Sequence, residues 1–260
     1  MKILVTNDDG IFAEGLWTLV KKLRDIAEVV VVAPDREQSA IGTAVSLRRP
    51  LRIRGVRPLV ADVETYSVEG TPGDSVILAL SKLVESGIDM VVSGINDGPN
   101  LGDDVLISGT VSGALQGYLR GIPAIALSVD SPNNVCMENA SKLAALLAKR
   151  IGSSAVPSCI FLNINLPDLP LAEIRGAKIT KLARYSHTDT VEEGSRGKWK
   201  HYWLVRQRRN KNTDEKTDVW AIEQGYISIT PLLYTNSHDK TLLSFTERAC
   251  SDLIRELRQY

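Results

Sequence analysis

Over residues 3–165 the chain alternates between short aliphatic runs and segments with helical periodicity. The aliphatic runs have the length and composition of buried parallel strands, and they occupy residues 3–6, 29–33, 90–92, 124–127 and 159–163. Apolar stripes or N-terminal capping signals indicate helices between them: residues 16–26, a start at Thr71, a start near Thr110, and residues 137–151. This alternation predicts an α/β fold with a doubly wound, mostly parallel sheet that carries helices on both faces.

The alternation ends after residue 180. Residues 181–217 contain ten Lys or Arg against five Asp or Glu, and they show no helical stripe. We expect a strand near residues 198–206 and a polar turn near residues 210–212, which form a C-terminal β-hairpin extension that leaves the core. Exposed aromatic residues on a hairpin are typical of a partner surface, and the aromatic residues of this stretch include Trp199, Tyr202 and Trp203.

The remaining C-terminal sequence is expected to return to the core. Residues 217–232 read as a helical turn and a strand, and residues 241–257 read as a closing helix with Leu253 and Leu257 inward. The predicted division is a core of residues 1–180 and an extension of residues 181–260.

Composition excludes several classes of protein. Lys and Arg total 31 and balance 31 Asp and Glu, which argues against a general nucleic-acid coat protein, so we expect no stable complex with nucleic acid. The cysteines, Cys136, Cys159 and Cys250, are odd in number and far apart, which argues against a disulfide framework and a CxxC metal site. No apolar run approaches the roughly 18 residues of a membrane span, and the N-terminus turns polar at Asn7, too early for a signal peptide. We expect a cytoplasmic protein that does not bind membranes.

Two adjacent carboxylates, Asp8 and Asp9, directly follow the first predicted strand. Ligand sites of open parallel sheets lie at the carboxyl ends of the strands. Paired carboxylates there suit one hard divalent cation, Mg²⁺ or Mn²⁺. The alternative is that the sequence NDDG at residues 7–10 is only a turn, because Asn, Asp and Gly all favour turns.

Polar loops after the second and third strands lie at the same expected edge. Ser39 could lend a hydroxyl to the cation, or it could make only local hydrogen bonds. The glycine-rich stretch from Ser93 to Gly109 offers Asn96 as a neutral carbonyl ligand, and Asn100 as an amide for a phosphate or a base. Such long loops in compact domains are often functional.

A helix start follows this glycine-rich loop at Ser108, Gly109 and Thr110. Free backbone N–H groups at a helix N-terminus bind anions, and Gly109 would permit close approach of a phosphate. A positive φ at this position would be a second reason for glycine, because other residues rarely adopt it. The alternative is an ordinary Ser or Thr cap. Loop and cap together favour phosphate binding.

Two familiar kinds of site are excluded. The first strand is followed by a single Gly10, not by the G-x-G-x-x-G of a dinucleotide site, and the adjacent Asp pair lacks the spacer of Asp-x-Asp phosphotransferases. The histidines, His187, His201 and His238, all lie in the irregular C-terminal third without metal-ligand spacing. They are therefore not expected to bind zinc.

Four segments resemble the SurE (survival protein E) nucleotidases: ILVTNDDG at residues 3–10, APDREQSA at 33–40, SGINDGPNLG at 93–102 and SGTV at 108–111. The resemblance extends over nearly the whole chain. It implies a Rossmann-like fold that associates into homodimers or homotetramers through C-terminal extensions. It also implies a metal-dependent phosphatase that acts on nucleoside 5′- and 3′-monophosphates. Ile107 stands where the family often has tyrosine, and Gly73 where alanine is frequent.

The resemblance also assigns roles to single residues. It places the metal ligands at Asp8, Asp9, Ser39 and Asn96, with the two aspartates as the catalytic residues. We add Asn96, Asn100, Ser108, Gly109 and Thr110 as expected phosphate or substrate contacts. The expected reaction is attack of a metal-activated water on the phosphate of a nucleotide, with polyphosphate as a further substrate. Two alternatives stay open: a non-catalytic nucleotide sensor that uses the same cleft, and a nucleotide-sugar transferase.

Overall fold

The computed structural model describes residues 1–84, 87–130, 134–153, 160–184, 187–196, 199–208, 214–232, 244, 246–248 and 250–259. The strands within these ranges are β1 (Lys2–Thr6), β2 (Glu28–Pro34), β3 (Ile53–Gly55), β4 (Glu64–Val68), β5 (Met90–Asp97), β6 (Ala124–Val129), β7 (Phe161–Leu166), β8 (Gly176–Ile179), β9 (His187–Arg196), β10 (Trp199–Arg208) and β11 (Tyr226–Pro231). The α-helices are α1 (Glu14–Leu23), α2 (Pro72–Leu78), α3 (Gly109–Tyr118), α4 (Asn134–Ser153), α5 (Asp218–Glu223) and α6 (Leu253–Leu257). A π-helical turn, Ala79–Leu83, extends α2, and a 3₁₀ turn, Gly102–Leu106, precedes α3.

Nine of these strands form one sheet in the order β3-β4-β2-β1-β5-β6-β7-β11-β8. Neighbours from β4 through β7 run parallel, whereas β3 is antiparallel to β4 and β11 is antiparallel to β7. The predicted α/β fold with a mostly parallel sheet is therefore confirmed. The chain winds from β1 through β2 to β4 on one side, and from β5 to β7 on the other. The strand order therefore reverses between β1 and β5, which is where ligands bind in open α/β sheets.

The sheet separates two apolar layers because successive side chains of a strand point to opposite faces. Ile3 and Val5 face the layer of α1 and α4, and Leu4 faces the layer of α2 and α3. The start of α2 carries the predicted capping box, in which Thr71 accepts from the Asp74 N–H and Asp74 accepts from the Thr71 N–H. Such a box satisfies two donors that the first helical turn would leave unpaired.

The strands β9 and β10 pair with each other in a separate two-stranded sheet, which we call the hairpin arm. The expected C-terminal hairpin is thus present, with β10 at the place predicted for its strand. Four apolar side chains of the arm are largely exposed: Val191, Tyr202, Trp203 and Leu204. The turn expected near residues 210–212, and His238, lie outside the described residues. The division of the chain at residue 180 stays a prediction.

Two expectations about secondary structure differ from the structure. The expected helix over residues 241–257 is not continuous, because residues 251–252 form a turn before α6. Asp252 there has a φ of 56°, which a right-handed helix does not allow. Leu253 and Leu257 of α6 are buried as predicted. The strands β3, β4 and β8 were not predicted; in β4, the sequence ETYSV mixes polar and apolar residues. In the part of the chain that the structure describes, no helix is long and apolar enough to span a membrane.

Candidate functional site

Asp8 and Asp9 lie in the turn that follows β1, beside the point where the strand order reverses. The turn is closed by a bond from Asn7 Nδ2 to the Gly10 carbonyl at 3.0 Å, and Gly10 has a φ of 99°. A hydrogen bond of 2.7 Å from the Gln38 N–H to the Asp8 carbonyl ties this turn to the loop after β2. The carboxylate pair is thus placed at the carboxyl edge of the sheet, as the sequence predicted.

Asp8 is packed against the first turn of α3. Its side chain is 4% exposed, and its Oδ1 accepts a hydrogen bond of 2.6 Å from Thr110 Oγ1. A Cβ on Gly109 would lie 2.6 Å from Asp8 Cβ and 2.8 Å from Oδ2, so only glycine fits there. Gly109 does not have a positive φ. We expected Gly109 to leave room for a phosphate. In the structure, the room that it leaves is next to the Asp8 carboxylate.

The pKa values of the Asp8 and Asp9 carboxyl groups are both raised above that of a free aspartate. Burial raises the pKa of Asp8, and hydrogen bonds from Thr110 oppose that rise only in part. Burial and then the charge of Asp8 raise the pKa of Asp9 to about 7. The further charges that act on Asp9, those of Asp97 and Glu37, are also negative. A divalent cation would stabilise both carboxylates, because it neutralises the charges that repel each other.

Ser39 lies in the loop after β2, and Asn96 lies near the C-terminal end of β5; these are the two strands next to β1. Ser39 is exposed and donates a bond of 2.7 Å to Glu37 Oε1. Asn96 Nδ2 donates a bond of 2.6 Å to the Gly98 carbonyl, so its Oδ1 is the atom it can offer a cation. The next residue, Asp97, approaches Asp9 through its N–H at 3.4 Å.

The side-chain atoms that these residues could offer a cation are all oxygens, which suits Mg²⁺ or Mn²⁺. Within the described ranges, no group of three or more His, Cys, Asp and Glu side chains could hold a metal ion. A cation here would therefore bind to two carboxylates and complete its coordination with neutral oxygens.

Asn100 is the centre of a buried polar network. Its Nδ2 donates to Ser128 Oγ at 2.8 Å and to Thr110 Oγ1 at 3.4 Å, so it holds the hydroxyl that contacts Asp8. Its backbone N–H donates to Asn165 Oδ1, and its carbonyl accepts from the side chains of Asn163 and Asn165. These hydrogen bonds hold both the side chain and the backbone of Asn100 in place.

The sequence interpretation gave no role to Ser128, Asn163 or Asn165. A signal for two of them was present, because asparagines two residues apart on a buried strand share one face of the sheet. Ser108 is the N-cap of α3, and its hydroxyl accepts from the Val111 N–H at 3.1 Å. The predicted residues at Asp8, Gly109, Thr110 and Asn100 therefore form one connected group, with Ser108 capping the helix behind them.

The fold and this edge define an α/β protein with an acidic pair where the sheet order reverses, and with a helix N-terminus directed at that pair. Residues 3–189 match the family model described as "Survival protein SurE". The chain belongs to the SurE family.

Named relatives and a solved structure agree with this assignment. The chain is 53% identical over 236 residues to "5′-nucleotidase SurE" of Dehalococcoides mccartyi (strain CBDB1), which covers 89% of this chain and 88% of the relative. It is 43% identical over 241 residues to "5′-nucleotidase SurE" of Legionella pneumophila (strain Paris), with 92% and 94% covered. The crystal structure of the SurE protein from Aquifex aeolicus aligns with a TM-score of 0.77 at 36% identity, over 94% of this chain and 98% of that one.

Proposed function

We propose that this chain is a metal-dependent 5′-nucleotidase that releases phosphate from nucleoside monophosphates. The observation that carries the proposal is the pair Asp8 and Asp9, two adjacent carboxylates with raised pKa values beside the N-terminus of α3. The names of the relatives from D. mccartyi and L. pneumophila support the reaction. Nucleoside 3′-monophosphates and polyphosphate are further substrates that we propose.

One divalent cation, Mg²⁺ or Mn²⁺, is proposed to bind to Asp8, Asp9, Ser39 and Asn96. Bound there, the cation would neutralise phosphate charge and lower the pKa of the water that attacks phosphorus. The two aspartates supply the negative charge that holds it. Thr110 keeps the Asp8 carboxylate in one orientation through its hydroxyl.

The phosphate is proposed to bind near Asn96 and Asn100, and at the start of α3 formed by Ser108, Gly109 and Thr110. The partial positive charge of a helix N-terminus favours an anion there. The same end of the helix stabilises the Asp8 carboxylate, so cation, carboxylate and phosphate would share one small region. The network of Asn100 already uses both N–H bonds of its Nδ2, so its role would be to position Thr110 and the start of α3 for the phosphate.

The hairpin arm is proposed to join copies of the chain into a homodimer or a homotetramer. Its apolar side chains are exposed, with Leu204 83% and Val191 62% accessible. Apolar side chains in such number on a two-stranded arm are expected at an interface, not in water.

The deciding experiment measures phosphate release by the purified full chain from the four common nucleoside 5′-monophosphates. We expect release with Mn²⁺ or Mg²⁺, no release with excess chelator, and recovery when metal is restored. The Asp9→Asn variant is the control for a contaminating phosphatase. Absence of release from every substrate with either metal, while a nucleotide still binds, would favour a sensor over an enzyme.

A further inference from the structure

Asp218 is a buried carboxylate that lies outside the site described above. It is the first residue of α5, it is 0% exposed, and three backbone N–H groups donate to it. Gly102 donates to Oδ2 at 2.7 Å, and Ala183 and Val219 each donate to Oδ1 at 2.8 Å. A buried carboxylate of this kind holds its donors firmly, because any donor that moves away leaves buried charge without a partner.

Two of the three donors come from parts of the chain that are far from Asp218 in sequence. Gly102 is 116 residues from Asp218 and lies in residues 98–108, which we call the substrate loop. Ala183 lies where the chain enters the hairpin arm, and we call residues 181–184 together with 214–217 the arm root. The two halves of the root are joined by the Lys181 N–H, which donates to the Lys216 carbonyl at 2.9 Å. One carboxylate therefore ties the substrate loop to the arm root.

Apolar packing makes the same connection beside these hydrogen bonds. Leu101, the neighbour of Gly102, is 1% exposed and forms a small separate cluster with Ala183, Val219 and Ile222. The tie therefore has a polar part at Asp218 and an apolar part at Leu101.

The substrate loop is also fastened to the candidate site, two residues before Gly102. Asn100 donates to Thr110 Oγ1, and Thr110 donates to Asp8 Oδ1. The carboxylate of Asp218 thus lies at the far end of a continuous path through Gly102 and Asn100 to the pair at β1.

We infer that Asp218 is a positioning residue that ties the substrate loop to the arm root, and that this tie sets how tightly the site binds nucleotide. The part about nucleotide rests on the function proposed above. The hairpin arm joins the core at the arm root. An arm that is held in place by another copy of the chain would therefore hold the root, and through Asp218 it would also hold the substrate loop.

The full-length Asp218→Asn variant tests the tie directly. An asparagine that keeps Oδ1 on Ala183 and Val219 turns its amide N–H₂ toward the Gly102 N–H, so two donors face each other. Hydrogen–deuterium exchange is expected to rise in residues 98–108 while the sheet amides stay protected. Unchanged exchange in the substrate loop would overturn the inference. If Asp218→Asn does not fold, Leu101→Val is the second variant, because it loosens the apolar part of the tie. Hydrogen–deuterium exchange in residues 98–108 should again rise, and unchanged exchange there would overturn the inference.

Kinetics separate positioning from general damage to the fold. For Asp218→Asn we expect KM for a nucleoside 5′-monophosphate to rise about tenfold and kcat to stay within about threefold, since the loop is proposed to contact the phosphate and none of the four proposed cation ligands lies in it. Asp214→Asn is the matched control, because it removes a carboxylate that pairs with Lys181 in the same root at 2.6 Å. It should change neither loop exchange nor KM.

A fall in kcat without a change in KM would also overturn the inference. If the wild type releases no phosphate from any nucleotide, the proposed function fails, whereas the exchange comparison still decides whether the tie exists.

Discussion

The hydroxyl of Thr110 donates a hydrogen bond of 2.6 Å to the carboxylate of Asp8, and the two residues are 102 positions apart in the chain. Both side chains are buried, Thr110 completely. The bond joins the start of α3 to the tip of β1, so the helix that is expected to receive phosphate also orients a proposed metal ligand. Together with the packing of Gly109 against Asp8, this bond fixes the relative position of the two parts of the candidate site.

Replacement of Thr110 by valine should lower kcat/KM about ten- to a hundredfold. Valine keeps the shape but removes a hydrogen bond to a buried charged group, and such bonds are worth roughly 1.5–3 kcal/mol. Thr110→Ser keeps the hydroxyl and should stay within about threefold of wild type. Initial rates at several Mn²⁺ concentrations check this, because weaker orientation of Asp8 should raise the metal requirement of the valine variant alone. Equal rates for the two variants would show that the bond does not matter.

Gly109→Ala should reduce activity about a hundredfold or more while the sheet still folds. The new Cβ would lie 2.6 Å from Asp8 Cβ, so either the turn after β1 or the start of α3 must move, and shifts near 1 Å can reduce rates by about 10². Gly109→Val should be at least as harmful. Gly73→Ala is the control, because its Cβ would meet Ser112 Oγ and the Ala44 carbonyl at ordinary distances of 3.4 and 3.5 Å. A Gly109→Ala variant with normal kinetics would contradict the packing described here.

The sequence was enough to predict the placement of Asp8, Asp9 and Asn96 because one rule covers them all. Each follows or ends a parallel strand, and parallel strands bring their carboxyl ends to the same edge. The helix start at Ser108 was predicted for the same kind of reason, since caps depend on a few consecutive residues.

Contacts between distant segments could not be predicted in this way. The bond from Gly102 to Asp218 spans 116 positions and depends on how β11 and α5 pack after the arm returns. Nothing within a few residues of Asp218 distinguishes it from an ordinary acid in the first turn of a helix. The reason for Gly109 was also hidden, because the group that excludes a side chain belongs to Asp8, which is distant in sequence.

Asp9→Asn should nearly abolish activity, and Ser39→Ala should lower it much less. Asp8 and Asp9 supply the negative charge that a hard cation needs, whereas Ser39 contributes only a neutral oxygen. Added Mn²⁺ should partly rescue Ser39→Ala and not Asp9→Asn. If the aspartates only shape a turn, Asp9→Asn should be mild, because asparagine serves turns equally well. Full activity of Asp9→Asn would therefore support that alternative and remove the basis of the proposed function.

The stability of the metal-free protein should depend on pH through Asp9. Its pKa is raised from 3.8 to about 7, so folding favours the protonated form. Protonated Asp9 therefore contributes to the free energy of unfolding at low pH, and this contribution is lost as the pH rises from about 4 through 7. Mn²⁺ competes with the proton, so its stabilising effect should be larger at about pH 8 than at about pH 6. Thermal melting with and without Mn²⁺ measures this, and Asp9→Asn should show a flatter dependence. If Mn²⁺ raises the melting temperature equally at both pH values, Asp9 is not the group at which the cation and the proton compete.

The hairpin arm should determine the oligomeric state through one of its two faces. In the register of β9 and β10, Leu204 lies opposite Val191, and the neighbouring pair Trp203 and Glu192 projects to the other face. Leu204→Asp should therefore disrupt association, because a charge would be buried in an apolar interface. Tyr202 shares the face of Leu204 and Val191, so this face holds three of the four exposed apolar side chains named above. Thr190→Asp, on the opposite face, is therefore the matched control and should leave the assembly intact. Light scattering should give a multiple of 28.5 kDa for wild type and the control, and a smaller assembly for Leu204→Asp. A wild-type chain that is monomeric at micromolar concentration would rule out the arm as an interface between copies.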